Sequence, residues 1–152
     1  VKYVVIGITA FLTLSTLILG IMQKNEMQEF REQLQELGNS LGKKRIYGPQ
    51  NFLDFIDELN YHGINKYILI GENVLNFHSS DDSYYEEWFD DNGDEGWIVL
   101  LNFREHVLRE LKHSGLDYYF ISGSELDDFN WRKFSPGQVF GNVLKIIKKR
   151  LA

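Results

Sequence analysis

Apolar and polar positions fall into two regimes along this chain. Residues 4–22 are nineteen in succession without a charge. As a helix at 1.5 Å per residue they would extend roughly 28 Å, close to the thickness of a bilayer's hydrocarbon core. Lys2 and Tyr3 at one end, and Gln23 and Lys24 at the other, suit the two interfaces. A cleaved leader would carry a pair of small residues at its cleavage site, and Ile18, Leu19 and Gly20 supply only one. The pattern predicts a retained transmembrane anchor over 1–23.

From residue 24 the rhythm changes. Met27, Phe30, Leu34, Leu37 and Leu41 are spaced 3, 4, 3, 4, with Glu26, Glu29, Arg31, Glu32 and Glu36 on other faces. This predicts an amphipathic, coiled stalk over 24–42, ended by Gly38, Asn39 and Gly42. Counted backwards, the same rhythm meets Gly20, Thr16, Thr13 and Thr9. Small and hydroxyl residues allow close helix approach in lipid, as Leu and Phe supply contact in water. The expectation is one docking seam formed by Thr9, Thr13, Thr16, Gly20, Met27, Phe30, Leu34 and Leu37. A chance origin is the alternative, because seven of the nineteen span residues are Gly, Ala, Ser or Thr.

Residues 43–152 alternate short apolar runs with helical periodicity. Arg45-Ile46-Tyr47 suggests a short strand, and Gly48-Pro49 opens a helix with Phe52, Leu53, Phe55, Ile56 and Leu59 on its apolar face. Gly63 stops that helix, and residues 66–70 read as a strand, with a second strand or extension over 74–77. Residues 79–96 are polar and acidic and read as an exposed loop. Strand 97–101, a helix marked by Phe103, Val107, Leu108 and Leu111, and strand 116–121 follow. Ser135 and Pro136 open a last helix with an apolar stripe of Val139, Phe140, Val143, Leu144, Ile147 and Leu151. Residues 58–67 can be laid on 110–119 at an offset of 52, so both halves read strand, helix, Gly stop, strand. Two such units predict a small α+β domain, ferredoxin-like (split βαβ), with an extra C-terminal helix on the other face or an edge; a mixed sheet of another topology is the alternative.

Charge narrows the functional classes. The chain has 22 acidic and 16 basic residues, and between 46 and 130 the balance is 18 acidic to 4 basic, or −14. A body this acidic repels phosphate backbones, so nucleic acid is not an expected partner. Basic residues gather at Lys43-Lys44-Arg45 and at Lys145, Lys148, Lys149 and Arg150. They could meet anionic headgroups, although the second group also complements a helix C-terminus. There is no cysteine, hence neither a disulfide nor thiolate chemistry.

The acidic loop is the most unusual stretch. Its residues Asp81, Asp82, Glu86, Glu87, Asp90, Asp91, Asp94 and Glu95 are interleaved with Tyr84, Tyr85, Trp88 and Phe89. A solvated, solubilising loop is the plain reading; aromatic residues among charges also suit a protein interface, which makes these twelve residues the candidate partner-docking set. Carboxylates also suggest calcium, but with Asp90 at position 1, Glu95 stands where Gly is needed and Leu101 where Glu is needed. His106, Glu110 and His113 share one side of a helix, yet lack the further ligands a zinc site needs. No phosphate loop or nucleophile elbow occurs, so no catalytic residue and no cofactor is assigned.

The layout of single span, short stalk and ferredoxin-like domain resembles bitopic assembly proteins of secretion and pilus machines. That resemblance is architectural and carries no residue over. The sequence is read as a non-catalytic, membrane-anchored subunit or scaffold, contacting lipid and other protein subunits, either copies of itself or different chains. The alternative is a calcium-dependent sensor or enzyme with its site at the acidic loop. Lys2 beside the amino terminus places the domain outside the cytoplasm, against the contrary sign of Lys24 and Arg31.

Overall fold

The computed structural model describes residues 3–7, 17–21, 56–57, 59–75 and 83–152. Strands β1 (Val4–Gly7), β2 (Leu17–Ile21), β3 (Lys66–Ile70) and β4 (Trp97–Leu101) form one sheet in the order β2-β1-β3-β4. β1 runs antiparallel to β2 and parallel to β3, and β3 runs parallel to β4. Val99 and Ile121 form a further parallel bridge, through Leu100 N to Ile121 O (2.9 Å) and Ile121 N to Ile98 O (2.8 Å). Among the described residues, the helices with both ends placed are α1 (Ser83–Asp91), α2 (Glu105–His113) and α3 (Pro136–Leu151). Residues 56–57 and 59–61 are also helical.

The strands are apolar runs without polar alternation because both faces of the sheet are covered. Val4, Tyr67, Leu69, Ile98 and Leu100 point to one side, where they pack with Ile56, Leu59, Tyr85, Trp88, Val107 and Leu111. Val5, Ile68, Ile70, Val99 and Leu101 point to the other, against Val139, Val143 and Ile147 of α3. α1 and α2 therefore share one face and α3 covers the opposite one. Phe140 of α3 stacks on Tyr3 (centroids 4.1 Å apart) and on Trp97 (5.9 Å), which spreads the helix across the row that begins the strands.

This arrangement overturns the expected anchor and the ferredoxin-like topology. No helix among the described residues is long and apolar enough to cross a membrane. Parts of the expected span are strands instead: Val4–Gly7 and Leu17–Ile21 lie in the sheet. A charge-free run satisfies a strand buried on both faces as well as a membrane helix, and the β-branched Val4, Val5 and Ile6 favour the strand. In a split βαβ fold the sheet would be antiparallel throughout, whereas β1, β3 and β4 are parallel neighbours. The expected stalk over 24–42 and the strand at 45–47 lie outside the described residues.

Two further expectations change. The acidic stretch is not a loop: α1 occupies Ser83–Asp91. Residues 116–121 are not a strand: Leu116–Tyr119 coil into a 3-10 turn, and Ile121 alone pairs with the sheet. At the offset of 52, β3 falls on residues 118–122, which begin in this turn and pair with the sheet only at Ile121, so the internal repeat holds mainly at the helix end. There the likeness is real, since Gly63 (φ 80°) and Gly115 (φ 72°) both take the left-handed conformation after a helix, and Ile64 and Leu116 are both buried.

Candidate functional site

α1 has two faces set by spacing. Tyr85, Trp88 and Asn92, at i, i+3 and i+7, are buried; Glu86, Glu87, Asp90 and Asp91 are exposed. Trp88, 1% exposed, meets Tyr67 edge-on at 5.3 Å, and Tyr85 meets Phe120 at 5.9 Å, so two large rings fix the helix on the sheet. Burial raises the ionisation of the Tyr85 and Tyr67 phenols well above the ordinary tyrosine range, so both stay neutral. Past α1, Gly93 (φ 70°) turns the chain and leaves Asp94 and Glu95 exposed as well.

Phe89 lies on the flank between these faces. The 3-10 turn brings Tyr118 and Tyr119 against it, at ring separations of 5.6 and 5.3 Å, and the two tyrosines are 5.6 Å apart. Gly115 supplies the left-handed link from α2 into this turn, and buried Leu116 and Phe120 hold its ends. Tyr118 remains 76% exposed and Asp117 is exposed beside it. The surface thus presents an aromatic cluster beside four carboxylates on α1 and two in the turn that follows it. Among the described residues, none of the six stands in an ion pair. Such a surface can take a lysine or arginine whose stem lies on a ring while its head meets a carboxylate.

A second polar cluster lies at the C-terminal ends of β3 and β4, the edge where parallel sheets commonly hold ligands. The Arg132 guanidinium grips both oxygens of Glu72, with Nη1 donating to Oε2 at 3.1 Å. Trp131 Nε1 donates to the same oxygen at 3.4 Å, and Arg132 lies over the Trp131 ring, 4.5 Å from its centroid. The hydrogen bond from Arg132 pulls the Glu72 carboxyl below the ordinary glutamate range; partial burial opposes this, and Trp131 assists it. Asn102, in the left-handed region (φ 57°), donates from Nδ2 to Phe129 O and accepts from Phe129 N, both at 2.7 Å. Arg104 Nε donates to the Glu72 carbonyl at 3.2 Å. These groups satisfy one another and clamp residues 129–132 across the strand ends. The cluster joins positions some 60 residues apart, and no local motif announces it.

The structure gathers only part of the sequence-derived site. Glu86, Glu87, Asp90, Asp91, Asp94, Glu95 and Phe89 share one surface, while Tyr85 and Trp88 belong to the core. Asp81 and Asp82 lie outside the described residues, and Tyr84 is placed only as a backbone position in α1. Of the seam, Gly20 sits in β2 opposite Val5, and Thr9, Thr13, Thr16, Met27, Phe30, Leu34 and Leu37 lie outside the described residues. Sequence reasoning missed Tyr118 and Tyr119, because the short, aromatic-rich L-D-Y-Y-F-I run reads as a strand. Among the described residues no three of His, Cys, Asp or Glu converge on a metal position, and His106 Nε2 instead meets the Leu75 carbonyl. No family model, curated protein or solved structure matches the chain.

Proposed function

We propose that this chain is a non-catalytic subunit of a larger protein assembly, and that it docks a basic partner surface through the outer face of α1. The observation that carries the reading is the union of six exposed carboxylates with the Phe89, Tyr118 and Tyr119 rings. Interfaces favour aromatic anchors with charges at the rim, and a helix fixed by Tyr85 and Trp88 is already ordered before contact. The carboxylates steer a cationic partner, and the rings give it a place to settle.

The test uses a fluorescent Lys/Arg decapeptide as probe and anisotropy as readout. Tyr118→Ala with Phe89→Ala leaves the charge unchanged, and it is expected to weaken binding about tenfold, the size of loss typical when a small aromatic anchor is removed. Glu87→Gln with Asp90→Asn should reduce both affinity and its salt dependence. Asp128→Asn, exposed on a different segment, serves as the control and should change little. Equal losses from the control and the α1 variants, with none from the aromatic pair, would reduce the surface to a diffuse negative field.

A further inference from the structure

We infer that the basic surface suited to α1 is carried by a second copy of this chain, at the C-terminal half of α3. The inference rests on the docking role proposed above and names its occupant. α1 and the turn after it carry six carboxylates, Glu86, Glu87, Asp90, Asp91, Asp94 and Glu95, and no cation. α3 carries Lys145, Lys148, Lys149 and Arg150 and no acid. The two helices pack on opposite faces of the sheet: Tyr85 and Trp88 lie in one core layer, Val139, Val143 and Ile147 in the other. The sheet therefore separates the two charged surfaces, and neither can neutralise the other within one molecule.

The basic side also sorts into engaged and available groups. Lys149 Nζ pairs with Glu125 at 3.3 Å, and Arg150 donates to the carbonyls of Ser122 and Gly123. Lys145 and Lys148 are exposed and take part in no ion pair among the described residues. They stand at i and i+3 of one flank, and Leu151 at i+6 is 83% exposed. Two free ammonium groups with an exposed apolar residue are the complement of carboxylates with an exposed Tyr118. The two surfaces differ, so the contact is head-to-tail: each copy offers one acidic and one basic face, and assembly continues until a ring closes or the chain of copies ends.

Sedimentation of the full chain at low and high salt tests this. The wild type is expected to form species larger than dimers that grow with concentration and fall back to monomers when salt screens the contact. An acidic-face variant, Glu86→Gln with Glu87→Gln and Asp90→Asn, should be monomeric. So should a basic-face variant, Lys145→Gln with Lys148→Gln, each weakening association at least about tenfold. Mixed in equal amounts, the two variants should form a one-to-one dimer and nothing larger, since each keeps the face the other lacks. A wild type that stays monomeric at high concentration overturns the inference, as does a basic-face variant that assembles like the wild type. If the monomer still binds the decapeptide through Tyr118, the docking role stands and only the identity of its occupant fails.

Discussion

At the scale of single residues, the clearest consequence concerns Glu72. Its carboxyl is held below the ordinary range in the fold by Arg132 and Trp131. A carboxyl lowered on folding adds stability that is whole above its unfolded ionisation and is lost as pH falls through the folded one. Glu72→Gln should therefore cost most near neutrality, where this contribution is whole, and least in acid, where the wild type has lost it too, so the acid side of its stability profile is flatter; a series of thermal melts from neutral to acid pH measures this. Gly96 has a steric role instead. A Cβ there would lie 2.4 Å from the Asn92 carbonyl oxygen and 2.8 Å from that of Asn65. Both are main-chain atoms that cannot swing away, so Gly96→Ala should cost about 1–3 kcal/mol in denaturant melts. Asn92 itself is 4% exposed, and among the described residues neither its Oδ1 nor its Nδ2 has a hydrogen-bond partner. An unmatched buried amide costs about 1–3 kcal/mol, so the shape-matched Asn92→Leu should raise the denaturation midpoint.

At the scale of elements, α3 is the one whose limits are fixed locally. Ser135 Oγ accepts from Gln138 N at 3.3 Å, and Gln138 Oε1 accepts from Ser135 N at 2.9 Å, a reciprocal pair behind which Pro136 needs no donor. Ser135→Ala removes the cap and should destabilise the chain by about 1 kcal/mol, seen as a lower melting midpoint with unchanged helix content by circular dichroism. The start of this helix was legible because its chemistry lies within four residues. α1 was hidden by the opposite circumstance. Its apolar face is only Tyr85, Trp88 and the flanking Phe89, and the acids between them suggest solvent. The i, i+3, i+4 spacing of those rings was the available signal. For the 3-10 turn no such signal existed, since its run of aromatic and aliphatic residues fits a strand as well, and Gly115 marks the left-handed entry.

At the scale of the whole molecule, charge is unevenly distributed over a layered body. α1 and its following turn repel themselves, with six like charges and no cation among them. Screening that repulsion should stabilise the fold, so the melting temperature should rise from low to moderate salt, by about 2–4 °C per kcal/mol relieved. The same salt dissolves the proposed head-to-tail contact, so stability and assembly should move in opposite directions. The sequence alone determined the local features of this protein: the strand runs at 66–70 and 97–101, the helix stops at Gly63 and Gly115, the capped start of α3 and the sign of the charge on α1. Each depends on neighbours within one helical turn or one strand. Tertiary structure decided the rest. Whether an apolar run such as 4–7 becomes a strand depends on a partner some 60 residues away, since Val4 pairs with Tyr67 and Val5 with Ile68. Parallel pairing places Glu72 beside Arg132, and the turn after α2 carries Tyr118 to Phe89. The sheet's two faces part the acidic helix from the basic one, because a side-chain period of two sends alternate residues to opposite layers.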